Sequence, residues 1–176
     1  AKGGSGLDTW FDVVVNRGPF PGNSAPEVTL TVSTNRVAPG RPVTFTVTAV
    51  DPDGDTLAYY WDISDGTFGP NGPSLTRTWQ VQGDYRVRVE VSDMRGHVVS
   101  RHVVVQVGNR TGFRISGQVT DNFGRPVPGA RVANGALTNT TELADNFQAT
   151  FTDSDGFFTL INQTPGDWAV TAFKHG

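Results

Sequence analysis

Apolar and polar residues alternate along much of the chain. Within residues 43–49 the apolar side chains alternate with threonines, and within residues 85–91 tyrosine and valines alternate with charged side chains. A period of two gives a strand one apolar face and one polar face. Clusters of Gly, Pro, Asn and Asp interrupt these runs about every ten residues, a spacing typical of β-sandwiches. The pattern therefore predicts an all-β protein.

The same clusters of turn-forming residues divide the chain into an N-terminal leader strand and two small β-sandwich modules in tandem. Residues 1–22 form the leader, in which Leu7–Val15 is a predicted strand followed by a Pro/Gly linker. Prolines and glycines this close together predict a stiff connection. The first module covers residues 23–108 and the second covers residues 113–176.

Composition and charge exclude several classes of function. The chain has 176 residues, of which 36% are hydrophobic, and its net charge is −3. This charge gives no reason to expect a nucleic acid or an anionic membrane as partner. No apolar run approaches the ~20 residues of a membrane span, so we predict no membrane insertion. The absence of cysteine excludes disulfides and thiol chemistry.

One motif in the first module is specific. Residues 61–66, Trp-Asp-Ile-Ser-Asp-Gly, resemble the Trp-Asp-Phe-Gly-Asp-Gly signature of PKD (polycystic kidney disease) domains. The segments 23–26, 51–55 and 83–85 agree with the family pattern, whereas Ile63, Ser64 and Trp79 depart from it. The resemblance implies an immunoglobulin-like sandwich that occurs outside cells, often beside secreted proteases, glycosidases and surface layers, and that is not catalytic.

Three carboxylates in five residues, Asp51, Asp53 and Asp55, repel one another unless they are exposed or neutralised. A hard cation with oxygen ligands would gather them, and Ca²⁺ suits a flexible loop. The PKD resemblance also implies calcium, which some PKD-like domains of bacterial collagenases bind at this end. The alternative is a solvated turn in which the side chain of Asp51 accepts hydrogen bonds. The matching ligand positions are Asn23, Ser24, Asp51, Asp53 and Asp93.

The second module resembles carboxypeptidase regulatory-like domains, which are small transthyretin-like β-sandwiches. The resemblance rests on residues 115–132, with further agreement at 152–157 and 165–172. That family continues with further strands beyond the position of Lys174, whereas this chain stops at Gly176. We therefore expect a second sandwich that is incomplete at its C-terminus, with open strand edges.

Core positions follow from the strand periodicity. In the first module Leu57, Tyr59, Trp61 and Ile63 share one strand face, with Trp61 as the anchor. The predicted core of the second module comprises Val119, Val132, Phe158, Leu160, Trp168 and Val170.

The polar residues predict no catalytic site. His97 and His102 are expected to face solvent, and neither has the spacing of a metal-binding motif. No nucleophile elbow and no phosphate-binding loop occurs in the sequence. Asp153 and Asp155 are expected to serve a turn, with an ion site as the alternative. We predict that the chain is not an enzyme.

The leader strand has no obvious place in the first module. Our hypothesis is that it inserts into the incomplete second module of a neighbouring copy, a head-to-tail contact that repeats into a fibre. The alternatives are that the leader folds back on its own chain, or that it is the last strand of a covalently linked upstream domain. The apolar residues of this assembly strand are Leu7, Trp10, Phe11, Val13, Val14 and Val15.

The sequence thus predicts a non-catalytic extracellular structural or cell-surface protein. Its partners are other copies of itself or the upstream domain. Two other functions stay open: an accessory spacer or substrate-docking region of a secreted hydrolase such as a metalloprotease, and a calcium-dependent adhesion or carbohydrate-binding module. Sequons at Asn109, Asn139 and Asn162 either mark glycosylation sites of an extracellular chain or arise by chance.

Overall fold

The computed structural model describes residues 20–110, 112–135 and 148–174. These residues form strands and no helix, which confirms the all-β prediction. The predicted leader strand 7–15 lies outside the described residues. No helix within the described ranges has the length and apolar character to cross a membrane. The strands are β1 (Glu27–Val32), β2 (Arg36–Val37), β3 (Pro42–Val50), β4 (Ala58–Ile63), β5 (Thr67–Phe68), β6 (Ser74–Thr78), β7 (Gly83–Ser92), β8 (Val98–Val107), β9 (Phe113–Gln118), β10 (Arg131–Asn134), β11 (Ala149–Phe151), β12 (Phe157–Gln163) and β13 (Val170–Phe173).

The first module is a sandwich of two sheets, because its strands carry one apolar face each. One sheet has the order β1-β3-β6 and the other the order β2-β8-β7-β4-β5. All neighbours are antiparallel except β2 and β8, which pair in parallel. The side chains of the inner faces form one buried cluster: Val28, Val43, Phe45, Val47, Trp61, Ile63, Leu75, Trp79, Val87, Val89, Val91, Val105 and Val107.

Trp61 anchors this core, as predicted. It has no exposed surface, its ring centroid lies 6.2 Å from that of Phe45, and its indole N–H donates to the carbonyl of Gly72 at 3.0 Å. Ile63 is also buried, while Leu57 and Tyr59 pack against the cluster and are partly exposed. The alternate side chains on the inward face of β4 therefore contribute to the buried core of the module.

The second module has smaller sheets, with the orders β11-β10-β13 and β12-β9. Its buried cluster consists of Val132, Phe158 and Leu160, with Ile115 and Val119 packed against it.

The core prediction was wrong for two positions of the second module. Val170 is 40% exposed, and Trp168 is partly buried but lies outside the cluster. Both line an open groove rather than a closed interior. Apolar periodicity identifies the inward face of a strand but does not show whether another layer covers that face.

Candidate functional site

The five predicted calcium ligands gather at one end of the first module. Asn23 and Ser24 precede β1, the acidic loop 51–55 follows β3, and Asp93 begins the turn between β7 and β8. The Nδ2 of Asn23 donates to Oδ2 of Asp93 at 2.6 Å, and the amide of Ser24 donates to Oδ2 of Asp53 at 2.6 Å. The segment before β1 is therefore fastened to both loops.

Asp93 is the most enclosed carboxylate of this group, with a residue exposure of 1%. Its Oδ1 accepts the amides of Arg95 and His97 at 2.7 and 3.0 Å, and its Oδ2 lies 3.2 Å from Nδ1 of His97. Burial alone would raise the pKa of Asp93, but these donors and Asn23 outweigh burial and lower the pKa to about 2. The carboxylate is thus satisfied by protein donors at neutral pH.

The acidic loop is an Asx turn held together by Asp51. Its Oδ1 accepts the amides of Asp53 and Asp55 at 2.9 and 3.1 Å, while Oδ1 of Asp55 lies 2.7 Å from Nε of Arg95. The other oxygen of Asp51, Oδ2, is buried and has no hydrogen-bond partner among the described residues.

These contacts fit a calcium ion only in part. The oxygens are of the right type, and Oδ2 of Asp51 is free to bind a cation. However, the described residues contain no group of three or more acidic or histidine side chains placed to hold a metal ion. Arg95 already pairs with Asp55, and the side-chain amide of Asn23 already donates to Asp93. Calcium binding therefore stays a prediction.

A second set of polar contacts joins the two modules. Asp84, at the start of β7, is 2% exposed, and its carboxylate receives two hydrogen bonds of 2.6 Å from Nε and Nη2 of Arg114 in β9. Arg110 adds a longer ion pair of 3.8 Å. Bidentate arginine–carboxylate pairs fix orientation as well as distance. We name this set of contacts across the module boundary, extended in the next two paragraphs, the joint.

His102 forms the second part of the joint. Its Nδ1 lies 2.9 Å from Oδ2 of Asp153, and its Nε2 lies 3.4 Å from the hydroxyl of Thr159. Burial would raise the pKa of Asp153, but the hydrogen bond of His102 and the amides of Phe157 and Asp155 keep that pKa below its usual value. Asp153 therefore serves both its predicted turn and the joint.

Further contacts surround these two pairs. The amide of Ser100 donates to the hydroxyl of Ser154 at 2.8 Å, and Arg101 pairs with Asp155 at 3.3 Å. Arg86 donates to the carbonyl of Thr159 at 3.4 Å. The second module thus lies along the outer face of β7 and β8, with several buried polar groups between the modules.

The joint was missed at the level of the sequence. We expected His97 and His102 to face solvent, but the side chain of His102 is only 11% exposed and that of His97, beside Asp93, is 25% exposed. One signal was present: Val103, Val104 and Val105 are consecutive, which places Val104 on the face of β8 opposite to the buried Val105. The same outer face carries Ser100, His102 and Gln106, so its overall pattern predicts exposure to solvent.

The other predicted sites have different outcomes. The six assembly residues between Leu7 and Val15, and the sequon residue Asn139, lie outside the described residues. Asn109 is exposed. Asn162 has a positive φ of 55°, and its side-chain amide lies 3.4 Å from the backbone of Asp84 in the joint. Glycosylation stays a prediction at all three sites.

Comparison with known families agrees with this two-module organisation. Residues 23–107 match the family model of the PKD domain, and residues 114–176 match that of the carboxypeptidase regulatory-like domain. Both are families of non-catalytic modules.

Individual relatives match at low identity. Human polycystin-1 is 29% identical over 135 residues, which is 76% of this chain but 3% of polycystin-1. The PKD1 domain of Vibrio anguillarum Epp is 25% identical with a TM-score of 0.41, covering 48% of this chain and 95% of that domain. The PKD1 domain of the Vibrio cholerae metalloprotease PrtV is 23% identical with a TM-score of 0.41, covering 49% and 100%. This chain thus spans only 3% of the length of polycystin-1.

Proposed function

Because the chain is a PKD domain followed by a carboxypeptidase regulatory-like domain, we propose that it is a non-catalytic structural chain of an extracellular or cell-surface protein. In this proposal the two modules form one unit of fixed geometry, and copies join head to tail through the leader strand into a fibre. The observation that carries the proposal is the joint. A flexible tether between independent modules needs no buried ion pair, whereas a structural unit that transmits its orientation does.

The composition of the joint supports a fixed arrangement. Asp84 is buried with Arg114 on one side, and Asp153 is buried with His102 on the other. Buried charges are costly unless their partners hold a defined geometry, because each lost contact leaves an uncompensated charge. Two such pairs on one interface therefore oppose both rotation and separation of the modules.

A distance measurement tests this part of the proposal. The chain has no cysteine, so spin labels can be placed at Thr48→Cys in β3 and Asn122→Cys in the second module, both exposed. We expect one narrow distance distribution, which broadens when Asp84→Ala is added. A distribution that is already broad in the labelled chain would show that the modules move independently.

Assembly is tested by deleting residues 1–16. We expect fibres from the full chain and none from the shortened chain, while the melting temperature of the modules stays the same. A full chain that remains a monomer would leave the accessory function, in which the two modules space or dock a secreted hydrolase such as a metalloprotease.

A different observation favours the third function, carbohydrate binding. Tyr60 and Phe68 are 49% and 65% exposed, and their ring centroids lie 5.7 Å apart on neighbouring strands. Exposed rings of this kind can stack on sugars. A loss of binding to soluble polysaccharides in Tyr60→Ala and Phe68→Ala, with no loss in Phe123→Ala at another exposed aromatic position, is the result this function requires.

A further inference from the structure

The second module carries an open groove of about 560 Å³ between its two sheets. Its apolar lining comes from Phe113 and Ile115 of β9, from Trp168, and from Val170 of β13. Phe113 is 57% exposed and Val170 is 40% exposed, so two large side chains stand uncovered at the mouth of the groove. An apolar surface of this kind is a common mark of an interaction site.

The two strands that flank the groove each have one unused side within the described part of the chain. β9 pairs with β12, and β13 pairs with β10, and neither has a second partner among the described strands. A strand edge presents a row of backbone N–H and C=O groups that can pair with a further strand. The groove therefore offers apolar lining and backbone partners together, which is what an added β-strand requires.

We propose that this groove accepts the Leu7–Val15 strand of a second copy of the chain. The proposal rests on the head-to-tail assembly proposed above and names the site at which it occurs. In an extended strand Leu7, Phe11 and Val13 share a face with Thr9 and Val15. Asp8 and Asp12 fall on the opposite face together with Trp10 and Val14, so the first face suits the apolar groove and the second carries both carboxylates.

The reach of the leader argues for a second copy. Phe20 is fixed at the Arg95 turn, where its amide donates to the Arg95 carbonyl at 3.2 Å. The groove begins at the other end of β7. Arg114 and Asn162 both contact Asp84 at that end. Their chain neighbours Phe113 and Gln163 line the groove.

The distance from Phe20 to the groove can be compared with the reach of the chain between Phe20 and Val15. The path along β7 from Ser92 to Asp84 covers eight residue steps, or about 26 Å. The five residue steps from Phe20 back to Val15 span at most about 18 Å when fully extended. The C-terminal end of the leader strand therefore falls short of the groove of its own chain, so insertion of the whole Leu7–Val15 strand requires the groove of a second copy.

Cysteine cross-linking between copies tests the site. One chain carries Val13→Cys in the leader, and a second chain carries Asp167→Cys, an exposed residue at the groove. We expect an efficient disulfide-linked heterodimer after mixing and oxidation. The matched control replaces Asp167→Cys by Asn122→Cys, an exposed turn residue of the same module outside the groove, and should give at least ten-fold less heterodimer.

A synthetic peptide of residues 7–15 with Val13→Cys separates this proposal from the proposed function. Peptide cross-linking to the full-length Asp167→Cys chain without fibres would support the groove and contradict the fibre. Fibres without a cross-link to Asp167→Cys, by chain or by peptide, would overturn the groove and leave the assembly standing. A doubly substituted chain that closes on itself at high dilution would also overturn the proposal.

Discussion

The carboxylate of Asp84 and the guanidinium of Arg114 meet across the boundary between the two modules through two hydrogen bonds of 2.6 Å each. The side chain of Asp84 has no exposed surface, while that of Arg114 is 25% exposed. This pair links the start of β7 to β9, so the path from one sandwich to the other does not depend on the connecting backbone alone. The stability of both modules should therefore respond to this one contact.

Replacing Asp84 by alanine should destabilise the chain by about 3 kcal/mol, because it leaves the arginine without its partner in a partly buried place. Urea unfolding followed by tryptophan fluorescence measures the loss. The matched control is Arg125→Ala, which removes the exposed ion pair with Asp121 but keeps the turn hydrogen bonds of Asp121, and it should cost less than about 1 kcal/mol. Equal losses in the two variants would contradict the role given to the joint.

Acid should weaken the first module through Asp93. The pKa of this group is about 2 in the folded chain, below the value of about 3.9 for an unfolded aspartate. A lowered pKa means that its contribution is complete above about pH 4 and is lost as the pH falls toward 2. We expect Asp93→Asn to lose stability at neutral pH and to show a flatter stability curve in this range.

The comparison for that curve is Glu27→Gln, which alters an exposed carboxylate at the start of β1. Its melting temperature should follow the pH dependence of the unmodified chain. If the Asp93→Asn chain and the unmodified chain lose stability in parallel between pH 4 and pH 2, the acid response arises elsewhere.

Gly69, which packs against the side chain of Trp61 in the fold, should tolerate no side chain. A Cβ placed on Gly69 would lie 2.8 Å from the Cβ of Trp61, which has no room to move in the core. Gly69→Ala should therefore destabilise the first module by about 1–3 kcal/mol. Gly72→Ala is the control, since a Cβ there meets nothing within 4 Å, and its effect should stay below about 1 kcal/mol.

Arg95, which pairs with Asp55, places a positive charge beside the predicted calcium ligands Asn23 and Asp53. Millimolar calcium should then raise the melting temperature of Arg95→Ala more than that of the unmodified chain, since the competing cation has been removed. Arg125→Ala provides the control, because it removes a similar aspartate–arginine pair from a turn of the second module. No calcium-dependent shift in any of these chains would remove calcium from the account.

The sequence predicted the core of the first module because the positions of Trp61 and Ile63 follow directly from strand parity. It could not predict the joint, since His102 and Asp153 are 51 residues apart and meet only when two separate sandwiches dock. The exposure of Val170 could not be predicted for a similar reason. A periodic pattern shows which face of a strand a side chain lies on, but it does not show whether another layer covers that face. The acidic loop lies between these cases: its turn was foreseen as one of two alternatives, whereas the partnership of Asp55 with Arg95 was not.

Electron microscopy of the full chain beside the chain lacking residues 1–16, each with a size-exclusion run, tests whether copies assemble through the leader strand. We expect long regular fibres from the full chain and monodisperse monomers from the shortened one. Monomers from both, or fibres from both, would contradict assembly through the leader strand.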